Sequence, residues 1–274
     1  MSGRGRRLAP ELPGRLRHPI IVRDDPSKFR SELLRSGEVD GVQGTELGRL
    51  VARVPAGPSV PCGAMSSPAA DERAALCDLF EHVGPDAPTL AGDWTTRDLA
   101  AHLVVRERRP DAAAGLLVPM LAGYGEHVRL AEAERPWAEL VERVRRGPGV
   151  LSPTRVDAVD RAVNSVEFFV HHEDVRRATD GWTVRAIPDD LGDALAAVVA
   201  HLGRRLVRGA GVGVRLLPDG RDALTLRAGD PPVTISGPIG ECVLYVYGRK
   251  DVARVTLDGP ADAVADVAAA AFGL

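Results

Sequence analysis

The chain has 274 residues, 45 % of them hydrophobic and 27 % charged, which is enough to bury a full core in one or two domains. A formal net charge of −3 gives no support for binding nucleic acid or an anionic membrane, and no stretch approaches the ~20 apolar residues of a membrane-spanning helix. Cys62, Cys77 and Cys242 are scattered thiols without a C-x-x-C pair, which speaks against both a disulfide framework and a thiolate zinc site.

Lys28 and Lys250 are the only lysines, so arginine supplies nearly all the positive charge. With so many Ala, Gly and Pro, this is the mark of a GC-rich genome and not of a function. Residues 1–64 hold eleven Lys/Arg against seven Asp/Glu, yet show no regular basic run or aromatic interleaving that would make a nucleic-acid arm. They are expected to be a disordered leader, or to reflect a mis-assigned start with Met65 as the first residue. The N-terminus lacks the apolar core of a secretory signal, and a cytoplasmic location is expected.

From Ala69 the pattern is helical. ADERAALCDLFEHV puts Leu76, Leu79 and Phe80 on one face, with its acidic residues early, as the helix dipole favours. After the loop GPDAPTLAGDW comes TTRDLAAHLVVRERRP, with Thr95 and Asp98 in capping-box spacing and Pro110 as the stop. Leu99, His102, Leu103 and Arg106 form one stripe of this helix, so His102 faces inward. Residues 111–149 are less regular, broken by Gly115, Pro119 and Gly123. PWAELVERVRR is a short amphipathic helix, and GPGVLSPT reads as a loop.

The stretch Asp157–Arg177 then runs 21 residues without Gly or Pro and reads as a buried helix, apolar nearly all round. Glu167 sits in it among Val166, Phe168, Phe169 and Val170, where an unpaired carboxylate would be very costly. Something cationic should meet it. His171 lies four residues on, about 40° round the helix, so the two side chains point the same way. At this spacing they can share one divalent metal or neutralise each other without one, and the helix alone leaves both readings open. His172 is turned about 100° from His171 and reads as a surface residue or a supporting one. Asp174, three residues after His171, could orient that imidazole. His127 lies in a segment whose path the pattern does not define.

Past Gly181, Asp189–Arg208 is an amphipathic helix with Pro188 near its start. The texture changes near Gly209–Gly213. GVGVRLLP, DALTLRA and PPVTISG are short strands separated by Asp-Gly and Gly-Asp turns. GECVLYVYGR is brief and apolar, ARVTLDG is a strand, and PADAVADVAAAAF is a closing helix.

Three pieces, WTTRDLAAHLV at Trp94–Val104, SVEFFVHHEDVRRA at Ser165–Ala178 and GECVLYVYGR at Gly240–Arg249, together resemble one family. It is the DinB-like superfamily and, within it, the mycothiol-dependent maleylpyruvate isomerase-type metal-binding proteins. The resemblance covers about Met65 to the end. It implies an α+β chain with a DinB-like four-helix bundle over 65–208 and a small α+β domain over 209–274. It further implies a divalent metal, most often Zn2+, held by His102, Glu167 and His171, with Arg249 facing an anionic substrate. Three protein ligands leave coordination positions open, as in catalytic sites. The function it implies is a metal-dependent isomerase or transferase acting on a small electrophile or oxo-acid, with a low-molecular-weight thiol, mycothiol, as co-substrate. A non-catalytic metal-binding module is the alternative. No Ser–His–Asp set, P-loop or dinucleotide fingerprint points to other chemistry.

Overall fold

The computed structural model describes residues 67–113, 122–148 and 164–273. The expectations for residues 1–64, for the segment after Ala113, for the GPGVLSPT loop and for positions 157–163 fall wholly or partly outside them.

The described chain is α+β. Helix α1 (Pro68–Val83) starts where Ser67 accepts a hydrogen bond from the Ala70 N–H, and it buries Leu76, Cys77 and Phe80. Helix α2 (Thr96–Arg108) opens on the expected capping box, in which Thr95 and Asp98 satisfy each other's backbone N–H groups. It ends just before Pro110, which begins the single turn α3 (Pro110–Ala113). Helices α4 (Ala122–Ala133) and α5 (Trp137–Arg145) follow, the latter entered through Pro136. The described part of the central helix is α6 (Ser165–Arg176).

Helix α6 packs on α1, α1 on α5, and α5 and α4 on α2. Leu76, Phe80, Leu99, Leu103, Leu140, Val144 and Phe168 meet in one core drawn from α1, α2, α5 and α6. As the sequence required, α6 is interior: Val166, Phe168, Phe169, Val170 and Val175 are all buried.

Helix α7 (Asp189–Leu206) leads into β1 (Gly213–Pro218), β2 (Leu224–Arg227) and β3 (Pro232–Gly237). Then come α8 (Ile239–Val246), β4 (Thr256–Asp258) and α9 (Ala261–Ala269). The sheet order is β2-β1-β3-β4; β1 and β3 are parallel, with Val214 opposite Val233 and Leu216 opposite Ile235, and the outer pairs are antiparallel. These four side chains alternate inward, as period 2 demands, and join Leu195, Val198, Val199, Val243 and Val246 in a second core. Helix α7 therefore packs on the sheet side, and Gly203 lets it approach β2: a Cβ there would lie 2.5 Å from the Leu226 side chain.

The two cores meet at α6. Val166, Phe169 and Val170 belong to the sheet-side core, and Phe168 and Val175 to the helical one. Gly240 allows the first turn of α8 to close on α6, since a Cβ at that position would be 2.9 Å from Phe169 Cζ. Buried ion pairs reinforce the joint. Arg177 bonds Glu173 on its own helix and both carboxylate oxygens of Glu241 on α8, while Arg185 links Glu173 to Glu72 of α1. The rings of Trp182 and Phe169 lie under guanidinium groups of this chain of charges.

Candidate metal centre

Helices α2 and α6 bring His102, Glu167 and His171 together, with one ligand atom from each within 4.8 Å of the others. His102 Nε2 lies 3.3 Å and His171 Nε2 3.4 Å from the same oxygen, Glu167 Oε1. The four-residue step from Glu167 to His171 along α6 puts those two on one face. The capping box fixes where α2 begins, and so which turn presents His102.

These separations suit a small ion. Zinc bonds of about 2.0–2.2 Å to nitrogen and oxygen give tetrahedral edges of about 3.3–3.6 Å, and the two histidine-to-glutamate distances match them. The donor set, two imidazoles and a carboxylate, is also one that zinc takes in open sites. About a quarter of the Glu167 side chain is solvent-accessible (24 %), so the cluster can be reached from outside.

Behind the cluster, Asp174 Oδ2 is 2.9 Å from His171 Nδ1. A proton on Nδ1 directed at Asp174 leaves Nε2 with its lone pair toward Glu167, the usual support for a metal-binding imidazole. Asp174 is held in turn by Arg249, whose Nε and Nη2 reach its two oxygens at 2.9 and 2.7 Å; Arg249 Nη1 donates to the Tyr247 carbonyl at 2.7 Å. Arg249, expected to face an anionic substrate, has its guanidinium on Asp174, which itself contacts His171. The Trp94 ring packs against His102 with centroids 5.2 Å apart.

The electrostatics follow from these contacts. Burial raises the Glu167 pKa, but Arg106, His102 and His171 outweigh it and hold the carboxyl well below its ordinary value. Burial also lowers His102, favouring neutral imidazole, despite Glu167. His171 is depressed by burial but raised more by Asp174 and Glu167, to about 9. Asp174, although buried, is kept low by Arg249 and His171.

The cation that Glu167 demanded is present as a side chain. Arg106 Nε lies 3.2 Å from Glu167 Oε1, and its Nη1 donates to Asn164 Oδ1 at 2.6 Å. The signal was in the sequence: Arg106 is four residues after His102 on the same stripe of α2. His172 is neither at the surface nor in the cluster. It is buried and meets Glu72 of α1 at 3.0 Å. His127 lies on an exposed position of α4.

No protein-family model matches the chain, and no curated protein matches it. Among solved structures, the fold is similar to the crystal structure of the mycothiol-dependent maleylpyruvate isomerase, with a TM-score of 0.43 and 17 % identity over 77 % of this chain and 92 % of that one. A histidine-to-alanine variant of that enzyme gives a TM-score of 0.45 at the same identity and coverage.

Proposed function

We propose that the chain is a metal-dependent enzyme that uses a low-molecular-weight thiol of the mycothiol type on a small electrophile or oxo-acid, as an isomerase or thiol transferase. The observation that carries this is the meeting of His102, Glu167 and His171 around one oxygen at tetrahedral-edge distances. In this reading α1, α2, α5 and α6 form a DinB-like bundle, and the three residues hold a divalent ion, Zn2+ in the first instance.

Bound there, the ion would act as a Lewis acid and favour the anionic form of a thiol or oxygen ligand. The protein's own groups do the rest. Asp174 fixes the His171 ring through Nδ1, and Arg249 fixes Asp174, making both positioning residues. Arg106 keeps positive charge beside the cluster, which favours anionic ligands such as a thiolate or carboxylate. Among the described residues, burial pushes both Cys77 and Cys242 up to about 12, so neither supplies a thiolate at neutral pH, and in this reading the thiol comes from solution.

The alternative, a non-catalytic module, is favoured by one contact: Arg106 gives Glu167 a counter-charge without any metal. Metal analysis of the purified protein, followed by cobalt substitution and addition of a small thiol, separates the two. An open catalytic site changes its visible spectrum when the thiol arrives. A cobalt spectrum indifferent to thiols and oxo-acids favours the module.

A further inference from the structure

The two histidines of the candidate metal centre are held by different means. His171 has Asp174 on its Nδ1. His102 faces Glu167 through Nε2, and among the described residues no hydrogen bond reaches its Nδ1. A metal-binding imidazole usually gives its second N–H to a carboxylate or carbonyl, which fixes the plane of the ring. The ring torsion of a histidine is otherwise soft, so at His102 packing has to set it.

That packing comes from Trp94. It immediately precedes Thr95, the N-cap of α2, a position whose side chain folds over the start of the helix. Its ring meets the His102 imidazole with centroids 5.2 Å apart and planes inclined by 48°. The other ring against that imidazole is His171, edge-on at 5.5 Å.

Trp94 is itself held. The Arg129 guanidinium lies over its ring, 5.0 Å from the centroid, and a cation on the face of an indole is an attractive contact. Arg129 is largely buried and cannot wander: both oxygens of Glu126 accept from it at 2.8 and 2.7 Å, and Asp98 Oδ1 accepts at 2.7 Å. Asp98 spends its other oxygen on Thr95 in the capping box. One carboxylate therefore fixes both the start of α2 and the cation against Trp94.

We infer that Trp94, backed by Arg129, is the positioning residue of His102, setting the plane of the imidazole and so the aim of Nε2 at a metal shared with Glu167 and His171. The inference rests on the metal reading above and deepens it. The two histidines have unequal supports, a hydrogen-bonded carboxylate for His171 and an aromatic wall for His102.

The probe is Co2+ alone, titrated into the metal-free full chain against a chelator and read also from the visible spectrum at saturation. Removing a group that orients a metal ligand weakens metal binding by roughly 10- to 100-fold. Trp94→Leu should fall in that range and change the cobalt bands even when saturated. Trp94→Phe, which keeps an aromatic ring, should recover most of the loss. Arg129→Gln leaves the indole without its cation and should lose several-fold in cobalt affinity; it carries the test if Trp94→Leu does not fold. Wild-type cobalt affinity and bands in Trp94→Leu, with or without a lower melting temperature of the metal-free protein, reduce the indole to packing and overturn the inference. So does a Trp94→Phe protein as weak as Trp94→Leu, or an Arg129→Gln protein that binds as the wild type does. Failure of the metal reading looks different: the wild type takes up no cobalt, or uptake survives both His102→Ala and Glu167→Gln, and this inference falls with it.

Discussion

Arg106 and Glu167 form an ion pair of 3.2 Å on the very oxygen that both cluster histidines approach. A metal at this cluster would therefore compete with the guanidinium for one carboxylate. A divalent ion seated at Glu167 Oε1 would lie beside a fixed positive charge, and inside a protein such proximity is worth several times its value in water. The same pair keeps Glu167 neutralised while no metal is bound.

Replacing Arg106 by Gln should accordingly tighten metal binding by about tenfold, or ~1.4 kcal/mol, and at the same time lower the stability of the metal-free protein. Competition with a chelator measures the first effect and urea unfolding of the metal-free protein the second. Metal binding equal to or weaker than that of the wild type would mean that Arg106 does not compete for Glu167.

The ligand set makes a second prediction. His102→Ala, Glu167→Ala and His171→Ala should each lose most of the bound metal, measured by elemental analysis after gel filtration. His172→Ala should keep it, because His172 faces Glu72 and not the cluster. It should still cost about 1–2 kcal/mol of stability, since a buried hydrogen bond to a charged group is lost. Retention of metal by the His102 variant would move the site elsewhere.

How much of this was legible in the sequence depends on the kind of contact. The capping box at Thr95 and Asp98, the inward stripe of α2 and the four-residue step from Glu167 to His171 are local, and spacing alone exposes them. The sheet-side strands were equally plain, because Val214, Leu216, Val233 and Ile235 sit in short alternating runs between turn residues. The partner of His172 is Glu72, a hundred positions away, and no periodicity links them. Arg249 presents the same difficulty: a Gly-Arg after a helix can point anywhere until Asp174 is known to face it. Helix α7 reads as amphipathic in sequence, but which core its apolar face joins is a tertiary matter, decided by the close approach of Gly203 to Leu226.

Glu72 should make the fold sensitive to acid. Burial raises its pKa, but His172 and Arg185 more than offset this and bring it from 4.5 down to about 2. The folded-state pKa lies below the unfolded one, so the ionised group stabilises the fold above about pH 4.5 and that contribution fades as pH falls toward 2. The shift corresponds to roughly 3 kcal/mol. The stability gap between wild type and Glu72→Gln should narrow steadily as pH falls below about 4.5, as read from urea melts at stepped pH. A gap independent of pH down to 3 would remove Glu72 from the acid response.

Lys250 secures the end of the chain. Its ammonium donates to the carbonyls of Val267, Ala268 and Ala270 at 2.5, 3.3 and 2.6 Å and lies 3.8 Å from the centroid of the Phe272 ring. It thereby satisfies the last carbonyls of α9, which have no partner within the helix. Lys250→Met should cost about 1–3 kcal/mol and speed amide exchange in 261–270 while leaving metal content unchanged. Unaltered exchange there would show that α9 is held by Ala263 and Val267 alone.

The ring of Trp94 against His102 has a consequence for observation. Among the three tryptophans of the chain, Trp94 touches a candidate ligand, while Trp137 packs on Phe80 and Trp182 lies under Arg177 and Arg254. An open-shell ion such as Co2+ or Cu2+ arriving at the cluster would quench the emission of Trp94 far more than that of the other two. Trp94 emission would then gauge the occupancy of the cluster in unlabelled material.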